Sequence, residues 1–357
     1  MQIWNKVVKS PILIVIVLTV LLLPACSSSG GGLGGSNFEK PGEGVEVRMA
    51  RATWDTGWFQ AEVFKALLEE LGYEVREPIE VLDNLPFYFF AAQDDIDFWA
   101  NGWFPLHDRY TRYQKVSENV EAVGYQVKNG ALQGYMVDKA TAEELGITNL
   151  GDLQDPEIAR RFDRDGDGKA DLIGCNVGWG CGISVDHHLA EYGLEQFVAH
   201  VQGDYSELMK ETVAQFQDGQ SVLFYTWTPN WTVSEMVPGE DVVWLSVPFS
   251  AVPGEAFPDT SVESIPGCLE SPCDLGFRPN DIRVVANKKF LADNNSAAWL
   301  FELVDIPMED IAAQNVLMAS GEEKPEDVRR HALEWIEANR ALVDPWLEAA
   351  RVVPQFQ

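Results

Sequence analysis

Gln133-Gly134-Tyr135-Met136-Val137-Asp138 and, far downstream, Ile282-Arg283-Val284-Val285-Ala286-Asn287 are two short β-rich runs, each followed by lysine and helix-forming residues. Between them lies a block of about 145 residues with its own alternation of apolar and polar segments. A chain that enters such a block through one strand and returns through another forms two lobes joined by a hinge. The spans that follow are 41–137 plus 283–357 for the first lobe and 138–282 for the inserted second lobe. Ligands of such folds sit in the cleft between lobes, where loops at strand ends converge.

Working outward, Val45 to Ala50 alternates like a strand and leads to a helix through about Phe59 to Leu71. Phe59, Val63, Leu67 and Leu71 share one face of that helix, and Gly72 is placed to end it. A second helical stretch, Pro86 to Ala92, runs into the strand-like Asp97-Phe98-Trp99-Ala100. This alternation predicts a largely parallel, three-layer α/β lobe. After Asn287 the chain reads as helical to its end, with Val328, Ala332, Trp335 and Leu342 as one apolar stripe.

The first residues read as an address rather than as part of the fold. Lys6 and Lys9 precede an apolar run, Pro11 to Leu23, that is short for a bilayer span and suits a signal peptide over residues 1–25. Leu23-Pro24-Ala25-Cys26 resembles a bacterial lipobox, which makes Cys26 a lipidation site; ordinary secretion with cleavage near Ala25 is the alternative. Residues 26–40 are rich in glycine and serine and form a flexible tether to the anchor. The protein is thus expected outside the cytoplasm, in the periplasm or at the cell surface. A formal charge of -30 sets nucleic acid and anionic lipid surfaces aside as partners and fits a heavily hydrated surface.

Four cysteines remain, and their spacing favours the disulfides Cys175–Cys181 and Cys268–Cys273. Four cysteines allow three connectivities, and zinc is a rival reading at intervals wider than usual for it.

Three tryptophans stand outside apolar stripes. Trp103 follows a strand in Asn101-Gly102-Trp103-Phe104-Pro105-Leu106-His107-Asp108. Trp179 lies between glycines inside the proposed disulfide loop, and Trp227 sits where a strand meets Pro229. Any one of them alone reads better as a core or rim residue. Together they read as a cage for a cation, because each indole face attracts one by roughly 0.5–2 kcal/mol. A trimethylammonium group has no ordinary hydrogen bond to donate, so aromatic faces suit it. Its carboxylate would then meet His107 and the backbone N–H groups near Gly180 and Cys181.

From about Gly44 to Ala349 the chain resembles the periplasmic glycine betaine/proline betaine-binding proteins of bacterial ABC importers. The resemblance is carried by Trp103 to Asp108, Gly178-Trp179-Gly180-Cys181, Tyr225-Thr226-Trp227-Thr228-Pro229 and Asp241 to Ser250. It implies a class II, two-lobed binding-protein fold made of two three-layer α/β lobes on a two-strand hinge. It also implies a ligand site of Trp103, Trp179 and Trp227 around the ammonium, with His107, Gly180 and Cys181 at the carboxylate. The expected partners are a betaine and the importer's permease with its ATPase, in osmoprotection; the protein is expected to be a monomer. Choline, carnitine or a dimethylsulfonium compound is the alternative ligand, and a calcium-dependent surface adhesion module the alternative class.

Asp163-Arg164-Asp165-Gly166-Asp167-Gly168-Lys169-Ala170-Asp171 resembles the first half of a calcium loop. A structural calcium would be held by Asp163, Asp165, Asp167, Asp171 and the Lys169 carbonyl; a solvated acidic turn is the other reading, and no cofactor is required. Cys181, Asp186, His187 and His188 supply the residue types of a nucleophile and base, but a cysteine in a disulfide is no nucleophile. The chain is not expected to be an enzyme.

Overall fold

The computed structural model describes residues 39–353 apart from Leu82, so the signal segment, Cys26 and most of the tether lie outside the described residues. In chain order, ten strands make up two five-stranded sheets. They are β1 Met49–Ala52, β2 Ile79–Val81, β3 Phe98–Phe104, β4 Val120–Ala131 and β5 Gln133–Asp138. The rest are β6 Ala170–Ile173, β7 Val198–Val201, β8 Leu223–Trp227, β9 Val242–Leu245 and β10 Asn280–Asn287. The first sheet has the order β2-β1-β3-β10-β4 and the second β9-β5-β8-β6-β7.

The sheets are mixed rather than largely parallel. β1 runs parallel to β2 and β3, whereas β10 is antiparallel to β3 and β4. In the second sheet β6 is parallel to β7 and β8, and β5 is antiparallel to β8 and β9. The reversed strands are the two through which the chain changes sheet. A strand that arrives from another sheet is not preceded by the helical crossover that parallel pairing requires. Gln133–Asp138 pairs within the second sheet and Ile282–Asn287 within the first, with Leu132 alone between β4 and β5.

Helix α1, Asp55–Glu70, begins four residues before the expected Phe59. Asp55 suits the positive end of a helix, and Gly57 lets that end lie close to β1, since a Cβ there would fall 2.4 Å from the Ala52 Cβ. Gly72, at φ +92, follows the C-terminus as its sequence position predicts. Helix α2, Asn84–Ala92, is capped by Asp83, whose carboxylate accepts from the Leu85 N–H at 3.1 Å. Phe64 of α1 packs its ring on Phe98 and Phe301, which places the first core between α1 and β3.

Helices α3 Gly180–Glu191 and α4 Tyr205–Gln217 accompany the second sheet. Four more, α5 Asn295–Leu303, α6 Met308–Ala319, α7 Pro325–Ala338 and α8 Arg340–Val352, close the first. The expected apolar stripe breaks at its last member. The helix ends at Ala338 and restarts at Arg340, so Leu342 turns outward and Val343 is buried in its place. Both disulfides join the cysteines paired by spacing, with Cα separations of 6.3 Å for Cys175–Cys181 and 6.2 Å for Cys268–Cys273.

Asp138 shows how the end of β5 is secured. Its buried carboxylate accepts from the N–H of Thr141 at 2.8 Å and of Val222 at 2.9 Å, capping one helix and closing the sheet beside it. Asp138→Ala leaves both donors without an acceptor and should lower unfolding free energy by about 2–3 kcal/mol, read by chemical denaturation. A loss within 0.5 kcal/mol, about the level of an indifferent surface change, would contradict that role.

Candidate functional site

Four tryptophans reach one cavity from four separate places in the chain. Trp54 joins β1 to α1, Trp103 is the penultimate residue of β3, Trp179 precedes α3, and Trp227 ends β8. β3 runs further than expected and so takes in Trp103. Gly102 permits this, because a Cβ there would come within 2.4 Å of a Val285 methyl on the paired strand.

The rings are nearly closed off from solvent, with exposures of 4–6%. Trp179 stands edge-on to Trp54 at 5.2 Å and to Trp227 at 5.8 Å between ring centroids. The cavity they enclose measures about 30 Å³ and is completed by Asn84, Leu106, His107, Gln133, Gly180, Cys181 and Tyr225. Every residue expected to contact a ligand therefore lines one space: Trp103, Trp179, Trp227, His107, Gly180 and Cys181.

Each indole N–H is taken by an oxygen of the protein. Asn101 Oδ1 accepts from Trp54 Nε1 at 2.7 Å and from Trp103 Nε1 at 2.8 Å, while its own amide donates to Gln60. Trp179 Nε1 donates to Thr53 Oγ1 at 2.8 Å, and Trp227 Nε1 to Thr56 Oγ1 at 3.3 Å. Thr56 donates in turn to the Pro229 carbonyl at 2.9 Å. The last three bonds tie residues just after β1, Thr53 and Thr56, to residues of the second lobe.

His107 is buried among aromatic rings and both its nitrogens are engaged. Nδ1 lies 3.0 Å from the Tyr88 hydroxyl and 3.3 Å from the Trp103 N–H, and Nε2 lies 3.1 Å from the Asn84 amide. Burial, reinforced by the nearby Arg109, lowers its pKa to about 3, so the ring is neutral at pH 7. Positive potential comes instead from the start of α3, where Gly180 and Cys181 bring N–H groups that have no intrahelical acceptor. Gly180 allows the approach: a Cβ would lie 3.2 Å from a Leu106 methyl.

Trp54, Asn84, Leu106, Gln133 and Tyr225 also line this cavity and are not among the residues expected from the sequence. For Trp54 a signal existed, since an aromatic at a strand-to-helix junction is the same setting as Trp179. It was hidden by a helix start placed four residues too late.

Elsewhere, carboxylate oxygens of Asp163, Asp165 and Asp171 lie within 4.8 Å of one another. Asp167 stands apart from that group and accepts from the Lys169 N–H at 2.8 Å. The residues considered as a nucleophile and base share α3, but three of them are engaged with other partners. Cys181 is bonded to Cys175, and Asp186 pairs with His200 at 2.7 Å. His188 is enclosed by the Tyr135 hydroxyl at 2.6 Å and the Ala251 carbonyl at 2.7 Å.

Residues 45–338 match the family described as the substrate binding domain of ABC-type glycine betaine transport systems. The chain belongs to this family. It is 44% identical over 313 residues to a glycine betaine-binding periplasmic protein of Dickeya dadantii, covering 87% of this chain and 91% of that one. It is 41% identical over 310 residues to the glycine betaine/proline betaine-binding periplasmic protein of Escherichia coli, with the same coverages. Among solved structures, the fold resembles a glycine betaine, L-proline-binding protein of Borrelia burgdorferi, with a TM-score of 0.65 at 20% identity over 86% of this chain and 99% of that one. It also resembles a lactococcal protein in its closed form with glycine betaine, with a TM-score of 0.62 at 17% identity over 85% and 99%. The fold is therefore the two-lobed one of periplasmic binding proteins, and the family is one of transport rather than of catalysis.

The depressed pKa of His107 sets a sign that can be measured. Between pH 6.5 and about 3 the unfolded imidazole binds a proton that the folded one refuses, so its contribution is present above pH 6.5 and lost as pH falls. The stability difference between wild type and His107→Gln should shrink by roughly 2 kcal/mol from pH 7.5 to pH 5. A difference that does not change with pH would mean that the ring titrates normally.

Proposed function

We propose that the protein captures glycine betaine between its lobes and delivers it to an ABC importer, holding the trimethylammonium group among Trp54, Trp103, Trp179 and Trp227. The observation that carries this reading is the convergence of four indoles, all with their N–H groups already bonded to the protein, on one cavity. Rings fixed in this way have only their faces left to offer. Four faces at about 1.5 kcal/mol each come to about 6 kcal/mol, and micromolar binding needs about 8 kcal/mol. The N–H groups of Gly180 and Cys181 supply the balance at the ligand's carboxylate. His107, neutral and saturated by Tyr88 and Asn84, holds the wall in place.

The family places the protein outside the cytoplasm with an importer as partner. Lipid attachment through Cys26, and action as a monomer at the end of the tether, complete the reading and rest on the sequence alone. Calcium at the acidic loop stands on the convergence of Asp163, Asp165 and Asp171. It should raise the melting temperature by several degrees relative to EDTA, and equal melting curves would reduce the loop to a solvated turn.

Calorimetric titration tests the cage directly. Glycine betaine should bind at least a hundredfold more tightly than glycine, whose ammonium is better hydrated and has protons to donate. Trp54→Ala and Trp179→Ala should each weaken glycine betaine by about tenfold, or 1.4 kcal/mol. Equal affinity for betaine and glycine would remove the cage.

A further inference from the structure

A second interlobe cavity of about 40 Å³ adjoins the cage and shares Leu106 and Gln133 with it. Arg109, Arg112 and Arg278 line it, with Asp108 and Glu255. Arg278 is paired with Glu255 at 2.5 Å. Arg109 and Arg112 make no ion pair within 4.0 Å among the described residues, in a chain with more than twice as many acids as bases. Arg109 is half-buried, and among the described residues the one hydrogen bond of its guanidinium is a long one, 3.4 Å, to Ser184 on α3 across the cleft. Burial disfavours its charge most, Tyr110 opposes that, and the neighbouring Arg112 adds a smaller disfavouring effect. Gln133 adds a second unmet demand. Its Oε1 accepts from the Tyr225 hydroxyl at 2.7 Å, while Nε2, on a side chain 2% exposed, has no acceptor.

We propose that Arg109, Arg112 and the Gln133 amide form an anion subsite continuous with the cage. A half-buried guanidinium without an ion pair and a buried amide N–H without an acceptor are each costly until an acceptor arrives. Arg109 and Arg112, set against Asp108, whose charge Arg112 and Arg278 stabilise, still leave the subsite net positive, while the Glu255–Arg278 pair cancels. The anion is the carboxylate of a zwitterion longer than glycine betaine, with its ammonium in the cage, or a free small anion that bridges Arg109 to α3 as the lobes close. The proposal rests on the cage reading, because continuity with the cage is what gives the subsite a tethered ligand.

Calorimetry on the whole protein separates the sources. For the tethered anion, wild type should bind trimethylammonio-butanoate about tenfold more tightly than trimethylammonio-butanol, and Arg109→Gln should bring the two within about twofold. Arg109→Lys, which keeps the charge, should restore part of the preference. For the free anion, wild type should bind glycine betaine severalfold more tightly in chloride than in gluconate at equal ionic strength, and Arg109→Gln should remove the difference. If neither preference depends on Arg109 in a variant that melts as wild type does, the subsite is overturned. Glycine betaine that still binds that variant shows the cage intact. Should wild type bind no trimethylammonium compound, the cage reading falls on its own. Melting of the ligand-free protein in chloride against gluconate then decides the subsite, with chloride stabilising wild type but not Arg109→Gln if it stands and equal shifts overturning it.

Discussion

An indole has one hydrogen-bonding atom, and the site depends on where that atom points. Four N–H groups are spent on Asn101, Thr53 and Thr56, contributed by the first sheet, the junction after β1 and the first turn of α1. Each bond runs in the plane of its ring and leaves the faces free. Asn101 holds two rings with one oxygen, and Gln60 fixes the amide that carries it. A buried indole without such a partner would turn its edge toward any acceptor, a ligand's carboxylate included. On the proposed reading, pinned edges leave a cation, rather than an acceptor, as the complement of the cavity.

The same bonds set the energy scale of closure. Trp179 and Trp227 come from elements of the second sheet, yet their donors are satisfied by the first. With Thr56 to Pro229 and the longer contact of Ser206 to Asp55, the lobes share a handful of hydrogen bonds. Each is worth about 1 kcal/mol net, and the total is opposed by the ordering of two bodies on a hinge. A balance of this size is one that a small ligand can tip, provided that it binds the closed arrangement better than the open one. On the proposed reading, indole faces brought together by closure supply that difference.

Most of this was legible in the sequence, for a physical reason. Trp103, Trp179 and Trp227 sit beside glycine, proline or a disulfide, where no helix face or strand alternation accounts for a large ring. The change of sheet was legible too, because two similar strands bracket a long block. What could not be read is what depends on register and reach. Trp54 looked like the approach to a helix that in fact begins at its next residue. Leu342 fitted a periodicity that the restart at Arg340 resets. His107 has the right residue type for a carboxylate contact, but only the packing of Tyr88 and Asn84 around it reveals a neutral, saturated ring. Sequence gives residue types, and neighbours from other elements decide their charge.

The distribution of charge explains why faces rather than carboxylates suit this protein. Trp179 separates the cage from a cavity of about 390 Å³ lined by Asp55, Asp204, Glu207 and Glu323, with Arg51 opposed to them. There, burial and then Glu323 push the Asp55 carboxyl up to about 7, a sign that acids are already crowded. With a formal charge of -30, further carboxylates at the ligand would attract any cation, sodium and potassium included. They would also weaken as salt rises, since the screening length falls from about 10 Å at 0.1 M to 3 Å at 1 M. Aromatic faces discriminate in the opposite way. They favour a large, weakly hydrated ammonium over small hydrated ions, and rings only 4–6% exposed leave mobile ions little access to the contact. A site that must choose a methylated ammonium in concentrated salt is therefore better made of rings than of acids, and the acids are left on the far side of Trp179.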